Sequence, residues 1–161
     1  MVTLFEFPLA GEDATIALGA ELSRCLQGRG VIYLRGDLGA GKTTLCRGIL
    51  RAMSYEGAVK SPTFTLVEPY NFPGGQVYHF DLYRLNDPDE LEYIGIDDYF
   101  SDQSLCLIEW PEKALGTLPL GDIDLELLFE GRQRRVVLSA MSDYGNSVLE
   151  RLRFGIDCDP K

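Results

Sequence analysis

A single histidine and four scattered cysteines give this 161-residue chain little from which to build a structural metal centre. Such centres draw on closely spaced Cys and His. Here Cys25, Cys46, Cys106 and Cys158 form no CxxC pair, and His79 stands alone. Cys46 and Cys106 fall in apolar stretches and are expected as small buried hydrophobes. Basic residues are also short, with 15 Lys and Arg against 25 Asp and Glu for a formal net charge of −10. Gripping a nucleic-acid backbone calls for a basic face, so any work on nucleic acid is expected to run through a partner. No apolar run approaches the roughly 20 residues that span a bilayer. The opening residues, Met1 to Thr15, lack the basic start and continuous apolar core of a signal peptide. The expectation is a cytoplasmic protein with no membrane contact. Repeats, low-complexity tracts and linkers are absent too, which points to one domain over residues 1–161, with about 141–161 as a C-terminal helical extension.

What is present is a run of short apolar segments punctuated by glycine and proline. A strand is expected over Thr3–Leu9, then a helix over Gly11–Gln27 with Asp13 as its N-cap and Gly28 and Gly30 ending it. Val31–Leu34 has the character of a buried parallel strand, and Lys42–Met53 that of a second helix. Strands over Thr63–Tyr70 and Gln76–Tyr83 flank a turn at Asn71–Gly75. Asp87 is placed to cap a short helix that has Pro88 at its first position and ends near Gly95. A further turn is expected over Asp97–Phe100. Leu105–Ile108 is a third buried strand. Asp124–Phe129 and Arg135–Ala140 form a second hairpin around Glu130–Arg132, and Ser142–Arg153 is a terminal helix.

The strongest signal is Gly36-Asp-Leu-Gly-Ala-Gly-Lys-Thr43, which satisfies GxxxxGK[ST] between a strand and a helix. In such a loop successive N–H groups point inward onto phosphate oxygens, and the following helix offers its positive end. Nucleotide-binding candidates are Gly36, Asp37, Gly39, Ala40, Gly41, Lys42, Thr43 and Thr44. Lys42 would reach the β- and γ-phosphates, and the Thr43 hydroxyl would coordinate Mg²⁺. The fold class follows: α/β, a P-loop NTPase-like mixed sheet with a parallel centre, antiparallel hairpin additions and flanking helices.

Two apolar runs end in acids, Val77–Asp81 and Leu105–Glu109. An acid at the end of a strand beside a P-loop can hold Mg²⁺ or order the attacking water, and the residues alone leave the two roles unassigned. Ser61 and Thr63, in Lys60–Thr65, sit where a switch-like loop could sense a γ-phosphate. His79, between aromatics, reads as a structural histidine.

Four segments, Gly36–Thr44, Lys60-Ser-Pro-Thr-Phe-Thr-Leu-Val67, His79-Phe-Asp-Leu-Tyr-Arg84 and Glu109-Trp-Pro111, closely resemble the TsaE family in order and spacing. That family supplies the bacterial ATPase of tRNA threonylcarbamoyladenosine biosynthesis. The resemblance spans roughly residues 5 to 140. It implies an ATP hydrolase of weak intrinsic activity that uses ATP and Mg²⁺ and acts on the TsaB–TsaD transferase complex, meeting tRNA only indirectly. It further implies Thr43 and Glu109 as Mg²⁺ ligands and Asp81, with Lys42, as catalytic residues. Glu12 and Arg132 or Arg135 map loosely to the base-side positions.

Three other functions share a P-loop. A small-molecule or nucleotide kinase needs an arginine-bearing lid, but Arg132, Arg134 and Arg135 lie on a predicted hairpin whose alternate residues face opposite ways. A GTP-binding module commonly carries Asn-Lys-x-Asp, which is missing. An ATP-binding scaffold with negligible turnover keeps the same site, and the sequence alone leaves it open.

Overall fold

The computed structural model describes residues 4–157, so Thr3 and Cys158 lie outside the described residues. Seven strands form one sheet in the order β1-β7-β6-β2-β5-β4-β3. They are β1 (Leu4–Leu9), β2 (Gly30–Arg35), β3 (Val67–Phe72), β4 (Gly75–Asp81), β5 (Ser104–Glu109), β6 (Ile123–Glu130) and β7 (Gln133–Ala140). The centre, β6-β2-β5-β4, is parallel, while β3 joins β4, β7 joins β6 and β1 joins β7 through antiparallel ladders. The expected fold class therefore holds. Helices are α1 (Glu12–Leu26), α2 (Lys42–Ala52), α3 (Asp89–Tyr93) and α4 (Asp143–Asp157). Among the described residues no helix is long and apolar enough to cross a membrane.

Strand alternation sorts the core into two layers. Ile32, Leu34, Leu105 and Leu107 meet α1, α2 and α4 on one face; Val31, Tyr33, Cys106 and Ile108 meet α3 and short 3₁₀ turns on the other. β5 is buried at all six positions, as a central parallel strand covered on both faces must be.

Four local expectations shift. The cap of α1 is Gly11, not Asp13: its φ of 87° suits glycine, and the C=O of Gly11 receives the N–H of Thr15, leaving both acids in the first turn. The third strand starts at Val67 rather than Thr63. Residues 61–66 fold into a turn instead, with the Leu66 N–H donated to the Pro62 carbonyl at 2.8 Å. The strand assigned to Gln76–Tyr83 is Gly75–Asp81. Asp87 does act on α3: its carboxylate accepts the N–H of Asp89 at 3.0 Å, and Glu90 reaches back to the N–H groups of Asn86 and Asp87. The N-cap itself is Pro88 rather than Asp87, because α3 starts at Asp89, one residue later than expected.

Candidate functional site

The loop from Gly36 to Thr43 leaves the C-terminal end of β2, where open α/β sheets place their ligands. Gly36 has φ 146°, and a Cβ there would come within 2.7 Å of the Leu127 carbonyl on β6, so only glycine fits this close approach. The Asp37 carbonyl closes the loop by accepting the Ala40 N–H at 3.0 Å. Gly41 caps α2 in the left-handed conformation. Its N-terminal N–H groups thus face the space that the loop encloses.

Lys42 is buried at 5% exposure. Its ammonium donates to the Gly36 carbonyl and lies 3.7 Å above the centre of the Trp110 ring. Burial pulls its pKa down, against the opposing pull of Glu109 and Asp81. The side chain is folded back on its own loop.

The two strand-end acids come together because β4 and β5 run parallel with Asp81 as the register partner of Glu109. Glu109 Oε2 accepts the Thr43 hydroxyl at 3.2 Å and faces His79 Nε2 at 2.6 Å. Asp81 turns to the other side. Its Oδ2 accepts both the Ser61 hydroxyl and the Thr63 hydroxyl, the latter at 3.1 Å, and its Oδ1 accepts the Tyr83 N–H at 2.9 Å. Lys42, Thr43, Ser61, Thr63, Asp81 and Glu109 border one cleft of about 250 Å³, roofed by Trp110. Thr43, Glu109 and Asp81 supply only hard oxygen atoms, the donor set that suits a small divalent cation such as Mg²⁺.

A neighbouring cavity of about 240 Å³ continues past the loop, bordered by Glu12, Thr15, Gly39, Thr44, Arg132 and Arg134. Glu12 is therefore beside the Gly36–Thr43 loop, held by Arg47 at 2.6 Å. Arg134 binds the loop directly, donating to the carbonyls of Ala40 at 3.2 Å and Gly39 at 3.3 Å. Arg135 does not join them. It pairs with Glu130 at 2.5 Å and Glu6 at 3.5 Å. Alternation in β7 is the reason: Arg134 shares a face with Val136 and Leu138, which pack toward the helices that flank the loop, and Arg135 is turned to the opposite face. That parity was readable in the sequence and would have selected Arg134. Thr15 carried no comparable signal, because only the α1–α2 packing brings it here.

His79 is fully buried. Burial alone disfavours its charged form, but Cys46 and Glu109 outweigh it and raise its pKa to about 10. Its polar neighbour is Glu109, a carboxylate of the candidate site, so it is not surrounded by the apolar core alone.

The family model for "Threonylcarbamoyl adenosine biosynthesis protein TsaE" matches residues 9–137. The chain is 53% identical over 119 residues to the tRNA threonylcarbamoyladenosine biosynthesis protein TsaE of Haemophilus influenzae, covering 74% of this chain and 75% of that one. It is 36% identical over 123 residues to the protein of the same name from Bacillus subtilis, covering 76% and 77%. A crystal structure of YdiB, also from B. subtilis, superposes with TM-score 0.81 at 28% identity, over 97% of this chain and 98% of that one.

Proposed function

The chain belongs to the TsaE family of tRNA threonylcarbamoyladenosine biosynthesis proteins, and we propose that its part in that process is to bind ATP with Mg²⁺ and hydrolyse it while acting on the TsaB–TsaD complex. The carrying observation is the pairing of Asp81 with Glu109 at adjacent strand ends, each held by different neighbours and both facing the phosphate loop.

The chemistry divides among the chain's own groups. Backbone N–H groups of residues 36–43 and the N-terminus of α2 hold the phosphates. Lys42 leaves the Gly36 carbonyl and the Trp110 ring for the phosphate oxygens. Thr43 and Glu109 would hold the cation, which would supply positive charge against the phosphates. Asp81 orients the attacking water, and its bonds to Ser61 and Thr63 tie that water's position to the 61–66 turn. The cavity at Glu12 and Arg134 receives the nucleoside side. Leu38 and Phe64, at 62% and 83% exposure, stand on the loop and on that turn. The acidic balance of the chain supports a protein partner over direct contact with tRNA.

The test is phosphate release from this chain alone and with TsaB and TsaD, alongside reconstituted multiple-turnover tRNA modification with wild type or Lys42→Ala. Faster release, or modification that needs wild type, supports the reading. Release indifferent to the partners, and modification indifferent to the chain, would sink the partner role. Transfer of phosphate to an added acceptor rather than to water would replace hydrolysis with a kinase reaction.

A further inference from the structure

Beneath the Thr43–Glu109 pair lies a second layer of polar side chains that the proposed hydrolysis does not use. Cys46 is three residues after Thr43 on α2, so the two share a helix face. His79 is two residues before Asp81 on β4, so these two share a sheet face. Its register partner on β5 is Leu107, which sets it diagonal to Glu109. Cys46, His79 and Glu109 consequently meet between helix and sheet, all buried, each with a ligand-type atom within 4.8 Å of the others.

Such a trio could be a metal centre or a support. A tetrahedral zinc bound at its usual ligand distances holds a nitrogen and an oxygen about 3.3 Å apart. His79 Nε2 and Glu109 Oε2 are 2.6 Å apart, which is a hydrogen bond. A carboxylate that serves a cation has no proton to give, so the imidazole is the donor. Its other nitrogen, Nδ1, is buried without a hydrogen-bond partner among the described residues. The ring's short hydrogen bond thus runs to Glu109, with the Cys46 thiol as its other polar neighbour.

We propose that His79 is a positioning residue for the cation site: its Nε2–H clamps Oε2 of Glu109, so the carboxylate faces the Thr43 hydroxyl in one fixed orientation. The proposal rests on the reading of Thr43 and Glu109 as the cation site. Glu109 Oε2 accepts from Thr43 and faces His79 at once, so losing the imidazole frees the carboxylate to rotate away from Thr43. Cys46 closes the third side of the cluster with its buried thiol. No solvent path is needed for the clamp to work, since all three residues are enclosed.

The experiment compares wild type, His79→Ala and His79→Gln as full chains, with Mn²⁺ as the probe. Titration of fluorescent ADP in EDTA gives the metal-free nucleotide affinity, and electron paramagnetic resonance counts Mn²⁺ bound in the presence of ADP. The expected result is unchanged metal-free affinity in His79→Ala, with Mn²⁺ half-saturation raised about 10- to 100-fold, the usual effect of removing such a supporting partner. His79→Gln, whose amide can donate from a similar place, recovers most of the loss. If His79→Ala does not fold, His79→Phe keeps a ring in the core without the donor, and the same rise is expected. Nucleotide and metal affinity falling together, with no recovery by Gln, would make His79 a packing residue and overturn the proposal. Unchanged Mn²⁺ affinity in the variants would overturn it too while leaving the cation site standing. Wild type that binds ADP but no Mn²⁺ would remove the cation site itself, and the clamp with it.

Discussion

Asp81 and Glu109 are register partners on adjacent parallel strands, yet no hydrogen-bond donor is shared between their carboxylates. Glu109 is bound to the phosphate-loop helix through Thr43, and Asp81 to the 61–66 turn through Ser61 and Thr63. This separation predicts separable defects. Asp81→Asn is expected to keep nucleotide affinity and to lose hydrolysis by about 10²- to 10⁴-fold, the range for removing a positioned acid–base group. Nucleotide titration beside phosphate release checks this; lost binding would place Asp81 in the binding site instead.

Trp110 is the chain's one tryptophan, and the Lys42 ammonium sits 3.7 Å above its ring. Nucleotide binding should draw the ammonium away and change the intrinsic fluorescence of a single, assignable residue. Lys42→Ala should start near the nucleotide-bound signal and show no further change. Its nucleotide affinity should fall about tenfold or more, through loss of charge-assisted bonds to phosphate. A full fluorescence response in Lys42→Ala would show that the ring senses something other than the lysine.

Arg134 and Arg135 are neighbours with opposite expectations. Arg134→Ala removes two bonds that hold the Gly39 and Ala40 carbonyls. About 1 kcal/mol of lost loop order corresponds to nucleotide affinity weakened about fivefold. Arg135→Ala touches only the Glu130 and Glu6 pairs and should leave nucleotide affinity unchanged. Equal effects in the two variants would refute the facing assigned to β7.

The approach of α1 to α2 sets where Glu12 and Thr15 stand beside the loop. A Cβ on Gly48 would lie 2.5 Å from the Ile16 carbonyl, and one on Gly19 2.6 Å from that of Leu45. In Gly48→Ala the clash with backbone outweighs the better helix propensity of alanine, for a net loss of about 1–2 kcal/mol. Chemical denaturation measures it. A stabilised Gly48→Ala would mean that the helices can move apart without cost.

Much of this was legible because it is local. The Gly36–Thr43 loop is set by glycine spacing, and the central strands by short apolar runs between breakers. Asp81 and Glu109 announced themselves as acids at the ends of two such runs. What was not legible depends on partners distant in sequence. Thr63 to Leu66 has β-forming residues, but the Ser61 and Thr63 hydroxyls are drawn to Asp81, and Leu66 takes a positive φ of 70°, so the chain turns there instead. His79 looked like a core histidine, and only the β4–β5 register shows which carboxylate it meets. Of Arg132 and Arg135, the expected base-side pair, only Arg132 borders the cavity, where Arg134 joins it; alternation along β7 separates Arg134 from Arg135.

The sheet ends at β1 on one side and β3 on the other, and each of these strands carries a proline, Pro8 and Pro69. Proline has no N–H to offer a further strand. Glu6 and Glu68 add charge to the same two strands. Open sheet margins are templates for self-association into larger assemblies. Here residues already in the chain blunt both margins, so a further strand would meet a broken row of donors and like charge at either edge.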